Sequence, residues 1–175
     1  MARVLIVIAE KMFRDEEFAE PKAIIASAGH DVVVASSSSG EAKGKLGMVV
    51  KPDLSIDAVS ADEFDAVVVA GGPGSQTYLW PNKRLHQAVR SIAEKGGVVA
   101  AICLAPVVLA RAGVIRGRRC TVFPTAESLR EMEDAGCMLV KDHVVVDGNI
   151  VTADGPSAAR EFGEAVLKLL RAPQS

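Results

Sequence analysis

Four stretches of the chain are almost continuously apolar and rich in β-branched residues: RVLIVIA (3–9), DVVVA (31–35), DAVVVA (65–70) and VVAAI (98–102). Each has strand length and lacks the alternation of a half-exposed strand, which predicts parallel strands buried on both faces. Between them the apolar spacing changes to that of helices. The pattern predicts helices over Asp15–Ala28, Asn82–Lys95, Pro106–Ala112 and Ser157–Leu170, with another starting at Thr125. Gly29 and the Gly96-Gly97 pair stop two of them, and Pro156 starts the last. Asp15, Glu16 and Glu17 fall in a first turn, where carboxylates suit the helix dipole. Ser128 stands at capping-box spacing from Thr125, without the usual Glu or Gln.

The remaining segments complete the outline. SSSSGEAKGKLGMVVKPDLSID (36–57) is polar and glycine-rich, and reads as an excursion or small hairpin with a strand near Met48–Lys51. Arg119–Phe123 reads as a strand. HVVVDGNIVTA (143–153) reads as a hairpin turning at Asp147-Gly148-Asn149. Strands alternating with helices predict an α/β, flavodoxin-like three-layer sandwich: a mostly parallel sheet, helices on both faces and an antiparallel edge. The expected organisation is one domain over residues 1–172 and a short tail at 173–175. In such folds ligands bind beyond the C-terminal ends of the strands. Ala9–Lys11, Gly71–Ser75 and Cys103 should therefore converge.

Composition narrows the function. The chain has 175 residues, 49% hydrophobic and 24% charged, with a net charge of −2. No run of Lys or Arg exceeds two, so the basic footprint of a nucleic-acid binder is missing. No apolar run is long enough for a bilayer, and Glu10 and Lys11 close the first one without a cleavage-site pattern. The expectation is a cytoplasmic protein with no nucleic-acid or membrane partner. The three cysteines show no CxxC pair, and no two of the three histidines stand four apart. Neither a metal site nor a cofactor is expected.

Cys103 sits where a buried strand meets a helix, with Ala101 and Ala105 on either side. Small residues at these positions are what a tight nucleophile elbow requires. The following helix start favours thiolate over thiol. The competing reading is a small buried residue at a junction. Gly71-Gly72-Pro73-Gly74 follows a buried strand and either brings backbone N–H groups close to a ligand or is an ordinary strand exit. One of Glu16 and Glu17 faces the crevice, where it either relays a proton for the thiol or is simply solvated. His30, His86 and His143 read as surface or structural, with His86 on an exposed helix face. Cys120 and Cys137 read as buried and inert. Tyr78 and Trp80 suit a pocket cap or a subunit interface.

These residues together resemble the ThiJ/PfpI superfamily. The resemblance runs through RVLIVIAEKMFRDEEFAEP, EFDAVVVAGGPGS, GGVVAAICLAPVVLARAGVIRGRRCTVFP and VVVDGNIVTADGPSAAREFGEAVLKLL, nearly the whole chain. It implies the class I glutamine amidotransferase-like fold and a homodimer or higher homo-oligomer. It implies Cys103 as nucleophile, Glu17 as the carboxylate on its sulfur, and the N–H groups of Gly72 and Leu104 as an oxyanion pocket, with Gly71, Phe123 and Asp154 around it. The implied activities are deglycase or glyoxalase chemistry on small reactive carbonyls, oxidative-stress sensing through a Cys103 sulfinate, and intracellular peptide hydrolysis. Four positions depart from the family. Leu104 replaces the histidine that follows the cysteine in the protease-like branch. Phe123 replaces the histidine before the proline in the stress-sensor branch. Asp154 replaces an arginine near the late Gly-Pro. Gln76 stands where the protease-like triad takes a partner subunit's Glu. Peptide hydrolysis loses its imidazole; carbonyl chemistry, sulfur oxidation and a non-catalytic binding role remain.

Overall fold

The structure, a computed structural model, describes residues 1–171; the expected tail at 173–175 lies outside them. The chain begins with β1 (Arg3–Ile8), β2 (Lys11–Phe13), α1 (Asp15–Ser27) and β3 (Asp31–Ser36). The glycine-rich excursion carries β4 (Ala42–Gly44), β5 (Val49–Val50) and β6 (Leu54–Ser55). Then come β7 (Ala66–Val69), α2 (Gly74–Tyr78), α3 (Lys83–Glu94), β8 (Val98–Ile102) and α4 (Pro106–Ala112). The last part contains β9 (Arg119–Cys120), α5 (Ala126–Asp134), β10 (Met138–Leu139), β11 (Val144–Asp147), β12 (Ile150–Ala153) and α6 (Ala159–Arg171).

The main sheet has the order β11-β12-β8-β7-β1-β3-β6, and only β11 runs antiparallel to its neighbour. This is the expected three-layer α/β sandwich. β7 and β8 are buried along their whole length, and β1 from Val4 onward, which is why their sequences do not alternate. Helix α1 packs on α6, and α3 on α4. Gly163 allows the first of these contacts: a Cβ there would stand 3.0 Å from the Pro21 backbone.

Several boundaries differ from the expectations. The excursion splits: β6 joins the main sheet, while β4 and β5 form a hairpin that pairs with β2. The expected Arg119–Phe123 strand stops at Cys120. Beyond it the Thr121 N–H turns to Thr152 Oγ1 (2.9 Å) and the Phe123 N–H to the Cys103 carbonyl (2.7 Å). The final helix starts at Ala159, after a 3₁₀ turn over Pro156–Ala158. The cap on α5 is complete despite the missing Glu. Ser128 N–H donates to Thr125 Oγ1 (3.0 Å), and Thr125 N–H donates back to Ser128 Oγ (2.9 Å). No described helix is long and apolar enough to cross a membrane.

Candidate active site

Cys103 follows directly on β8. Its N–H donates to the Ala153 carbonyl of β12 (2.8 Å), and its carbonyl accepts from Phe123. The backbone between these anchors is forced to φ +67°, the left-handed region that a non-glycine residue rarely enters. Strain of this kind marks sites where the surroundings over-determine the backbone. The elbow expected at Cys103 is present, with the side chain nearly buried, 6% exposed. Trp80 holds the next residue: its Nε1 donates to the Leu104 carbonyl (2.8 Å) from below the turn. Trp80 is thus a buried strut rather than a pocket cap.

Glu17 arrives from the first turn of α1 and is 0% exposed. Its Oε1 accepts the Gly71 N–H (3.1 Å), and its Oε2 has no hydrogen-bond partner. Glu16, one residue earlier, turns outward and pairs with Arg14 (2.9 Å). Gly71 lies between the Cys103 thiol and the Glu17 carboxyl. A Cβ there would be 2.7 Å from Cys103 Cβ and 2.8 Å from Glu17 Oε1, and would also meet the Ile102 carbonyl. No other residue fits while the thiol and carboxyl stay adjacent. Gly72, at φ +105°, is held against the Met12 and Arg14 backbone, where a Cβ would approach within 2.6 Å and 2.5 Å. Gly74 sits against the Lys11 carbonyl. The three distant segments expected at the crevice therefore meet. The N–H groups of Gly72 and Leu104 both act on the Cys103 thiol, favouring its ionised form.

The electrostatics depart from one expectation. Burial pushes the Cys103 thiol up to about 12, and the neighbouring Glu17 charge adds to this; the Gly72 and Leu104 N–H groups oppose it without winning. The short helix α4 does not make a resting thiolate, because desolvation costs the buried anion more than two backbone donors return. Burial also raises Glu17, to about 7, against the hydrogen bonds from Cys103 and Gly71. The resting pair is a thiol beside a carboxyl that is near half-ionised at neutral pH.

Phe123 and Asp154 adjoin the elbow through the backbone, while the histidines and the other two cysteines are dispersed. Phe123 is 42% exposed, with its ring 3.6 Å from a Cβ placed on Gly155. Asp154 follows the Ala153 that bonds Cys103 N–H, and its carboxylate meets His143 Nδ1 (2.8 Å). Sequence spacing concealed this pair, because the two residues meet only across the β11–β12 hairpin. Asp154 also lines a cavity of about 430 Å³ with Thr121, Val122 and Leu139. His86 is half-buried rather than exposed, with Nε2 2.7 Å from the Trp80 carbonyl. His30 Nδ1 accepts from the Ala2 N–H. Cys120 is buried as expected, but Cys137 is partly exposed. No cluster of metal-ligating side chains occurs among the described residues. A larger cavity, about 830 Å³ and lined by Arg90, Arg111 and Arg118, reaches Gly97 and Val99 at the N-terminal end of β8, away from Cys103.

The model of the DJ-1/PfpI family matches residues 2–169. A Methanocaldococcus jannaschii protein described as uncharacterized is 47% identical over 97% of this chain and 82% of its own length. A Pyrococcus abyssi protein named a deglycase is 38% identical, over 97% of this chain and 99% of its own. The crystal structure of a ThiJ/PfpI domain protein from Brachyspira murdochii superposes with a TM-score of 0.92 at 34% identity, covering 98% of each chain.

Proposed function

The chain belongs to the DJ-1/PfpI family, and from that membership we propose that it is a cysteine-dependent deglycase-type enzyme acting on small reactive carbonyls or their adducts. The observation that carries the reading is the buried Cys103–Glu17 pair, closed against Gly71 on a strained elbow. Relatives named deglycases support the reaction class.

In the proposed first step the Cys103 sulfur attacks the carbonyl carbon of a 2-oxoaldehyde or its adduct. The new S–C bond uses the thiol's electrons, and the thiol proton passes to ionised Glu17. The C=O π pair moves onto oxygen, where the Gly72 and Leu104 N–H groups, which already favour the thiolate, donate to the anion. Such donors supply a few kcal/mol each to a transition state. A base near 7 suits this step, because half of it is ionised at neutral pH and it still holds the proton it receives. The three free cysteines fit a reducing compartment, and the cytoplasm is the proposed place of action.

A second reading is favoured by the unpartnered Glu17 Oε2. Protonated there, Glu17 would donate to an oxygen of a Cys103 sulfinate, with the same two N–H groups on the other oxygen. Peptide hydrolysis is not favoured, since each of the three imidazoles is engaged elsewhere.

The deciding experiment is lactate release from methylglyoxal hemithioacetals and amine adducts. Wild-type chain should turn these over, and Cys103→Ser should fall to background with an unchanged melting temperature. Full activity in the serine variant overturns the assignment. No turnover by wild type, together with selective gain of two oxygens on Cys103 after mild peroxide, favours the second reading.

A further inference from the structure

The cavity of about 830 Å³ at the N-terminal end of β8 takes no part in the elbow chemistry. It is bounded by the C-terminal ends of α3 and α4 and by the β11–β12 turn. Val99, Val114 and Ile150 give it apolar surface, and the bare backbone of Gly96, Gly97 and Gly113 lets a ligand come close. Three guanidiniums, those of Arg90, Arg111 and Arg118, share the lining with one carboxylate, that of Glu94. The whole chain carries a net charge of −2, so three cations against one anion is a local concentration of positive charge. The volume is that of a small-molecule site.

Each arginine is held from one side. Arg90 Nε donates to the Ala112 carbonyl (3.0 Å) across the gap between α3 and α4. Arg111 forks onto the Glu131 carboxylate through Nε (3.2 Å) and Nη2 (2.6 Å), and its guanidinium carbon lies 5.7 Å from the centre of the Trp80 ring. Arg118 Nη1 stands 3.5 Å from Asp147 Oδ1. Capping of the helix ends explains only part of this. The last carbonyls of α4 are taken by the Gly113 and Val114 N–H groups and by that one Nε of Arg90. Both Nη groups of Arg90 and Nη2 of Arg118 have no partner among the described residues. Guanidiniums pinned at one end and open at the other are pre-organised for the oxygens of a phosphate, which they grip two at a time.

We propose that this cavity binds a phosphate monoester with a flat apolar body, the phosphate taken by the guanidiniums and the body laid on Val99, Val114 and Ile150. A dianion balances three cations against one carboxylate, which a neutral ligand or a second cation does not. The site lies apart from Cys103 and does not rest on the chemistry assigned there. It reaches the elbow through one contact chain. An anion on Arg111 draws on the charge that now lies over the Trp80 ring, and Trp80 Nε1 donates to the Leu104 carbonyl (2.8 Å). Trp80 is the one tryptophan in the sequence, so its emission reports on Arg111 alone of the three arginines.

The test titrates the full chain with phenyl phosphate, and with inorganic phosphate and phenol as the two halves of that probe, at an ionic strength held constant with sodium chloride. Calorimetry measures the affinity, and Trp80 emission, excited where phenyl phosphate does not absorb, locates the ligand. Phenyl phosphate should bind saturably and about tenfold or more tighter than inorganic phosphate, phenol should not saturate, and Trp80 emission should change over the same concentrations. Arg90→Gln and Arg118→Gln should each weaken binding about tenfold, the loss of one charge-assisted contact. Two positions are used so that a fold defect at one, seen in its melt without ligand, leaves the other to decide. Cys103→Ser should bind as wild type does. The proposal is overturned by an absence of saturable binding, by full affinity in both arginine variants, or by inorganic phosphate binding as tightly as the ester. Trp80 emission that stays constant through saturation, or binding lost in Cys103→Ser, places the ligand elsewhere and overturns it too.

Discussion

Replacing Glu17 with Gln should stabilise the protein at alkaline pH and do little at acidic pH. In the folded chain burial holds this carboxyl at about 7, against an ordinary value of 4.5. The folded state therefore binds the proton more tightly than the unfolded state. The stability linked to that proton is fully present below about 4.5 and is lost as pH rises through about 7. At about 1.4 kcal/mol per tenfold difference in proton affinity, the loss is about 3 kcal/mol by pH 8.5. Glutamine retains an oxygen for the Gly71 N–H and carries no charge to bury. At pH 8.5 the variant should therefore melt roughly 6–12 °C above wild type, taking about 2–4 °C per kcal/mol for a chain of this size. At pH 4.5 the two should coincide within a degree or two. Thermal melts of both proteins across this range supply the measurement. His143 titrates in both proteins and its contribution cancels in the difference; the Cys103 thiol does not cancel, because the Glu17 charge helps to raise it, so the comparison is made in a Cys103→Ala background. A stabilisation that does not change with pH, or a variant less stable at pH 8.5, would refute the buried-carboxyl argument. With Cys103 intact, the Glu17→Gln variant should lose turnover, since it has no group to accept the thiol proton.

Two further outcomes test the site from other sides. Below about 7, kcat/KM on a 2-oxoaldehyde adduct should fall about tenfold per pH unit, because the base form of Glu17 is the one required; a rate that rises on acidification contradicts the assigned role. Trp80→Phe keeps a ring in place but removes the Nε1 donor to the Leu104 carbonyl. It should cost about 1–3 kcal/mol in urea denaturation, and should lower kcat more than it raises KM, since the strut supports the oxyanion donor rather than a substrate contact.

How much of this was readable in advance depends on the range of the cause. The elbow was readable because its causes are local: a strand that must be buried, a helix that must start, and alanines at 101 and 105 that tolerate the turn. The buried strands were readable for a similar reason, since burial on both faces leaves Val and Ile at every position. Glu17 was half readable. Helix geometry allows only one of two adjacent glutamates inward, but the family resemblance had to choose it, and Arg14 completes the choice by drawing Glu16 outward. Gly71 announced a close approach without saying to what; the answer, a thiol and a carboxyl from segments far apart in the chain, is tertiary.

The protonation state of the thiol is not legible in the sequence for the same reason. A helix start beside a sulfur is a local signal and points to thiolate, whereas desolvation is set by everything that covers the sulfur, including the Gly71 backbone and Glu17. Trp80 bracing Leu104 across 24 residues and His143 meeting Asp154 across a hairpin leave no trace in local spacing. The position of the elbow thiol is thus written into its immediate sequence, while its acidity and its carboxyl neighbour are properties of packing. That division explains why the chemistry on this elbow must be tested through Glu17 and the surrounding contacts rather than through Cys103 alone.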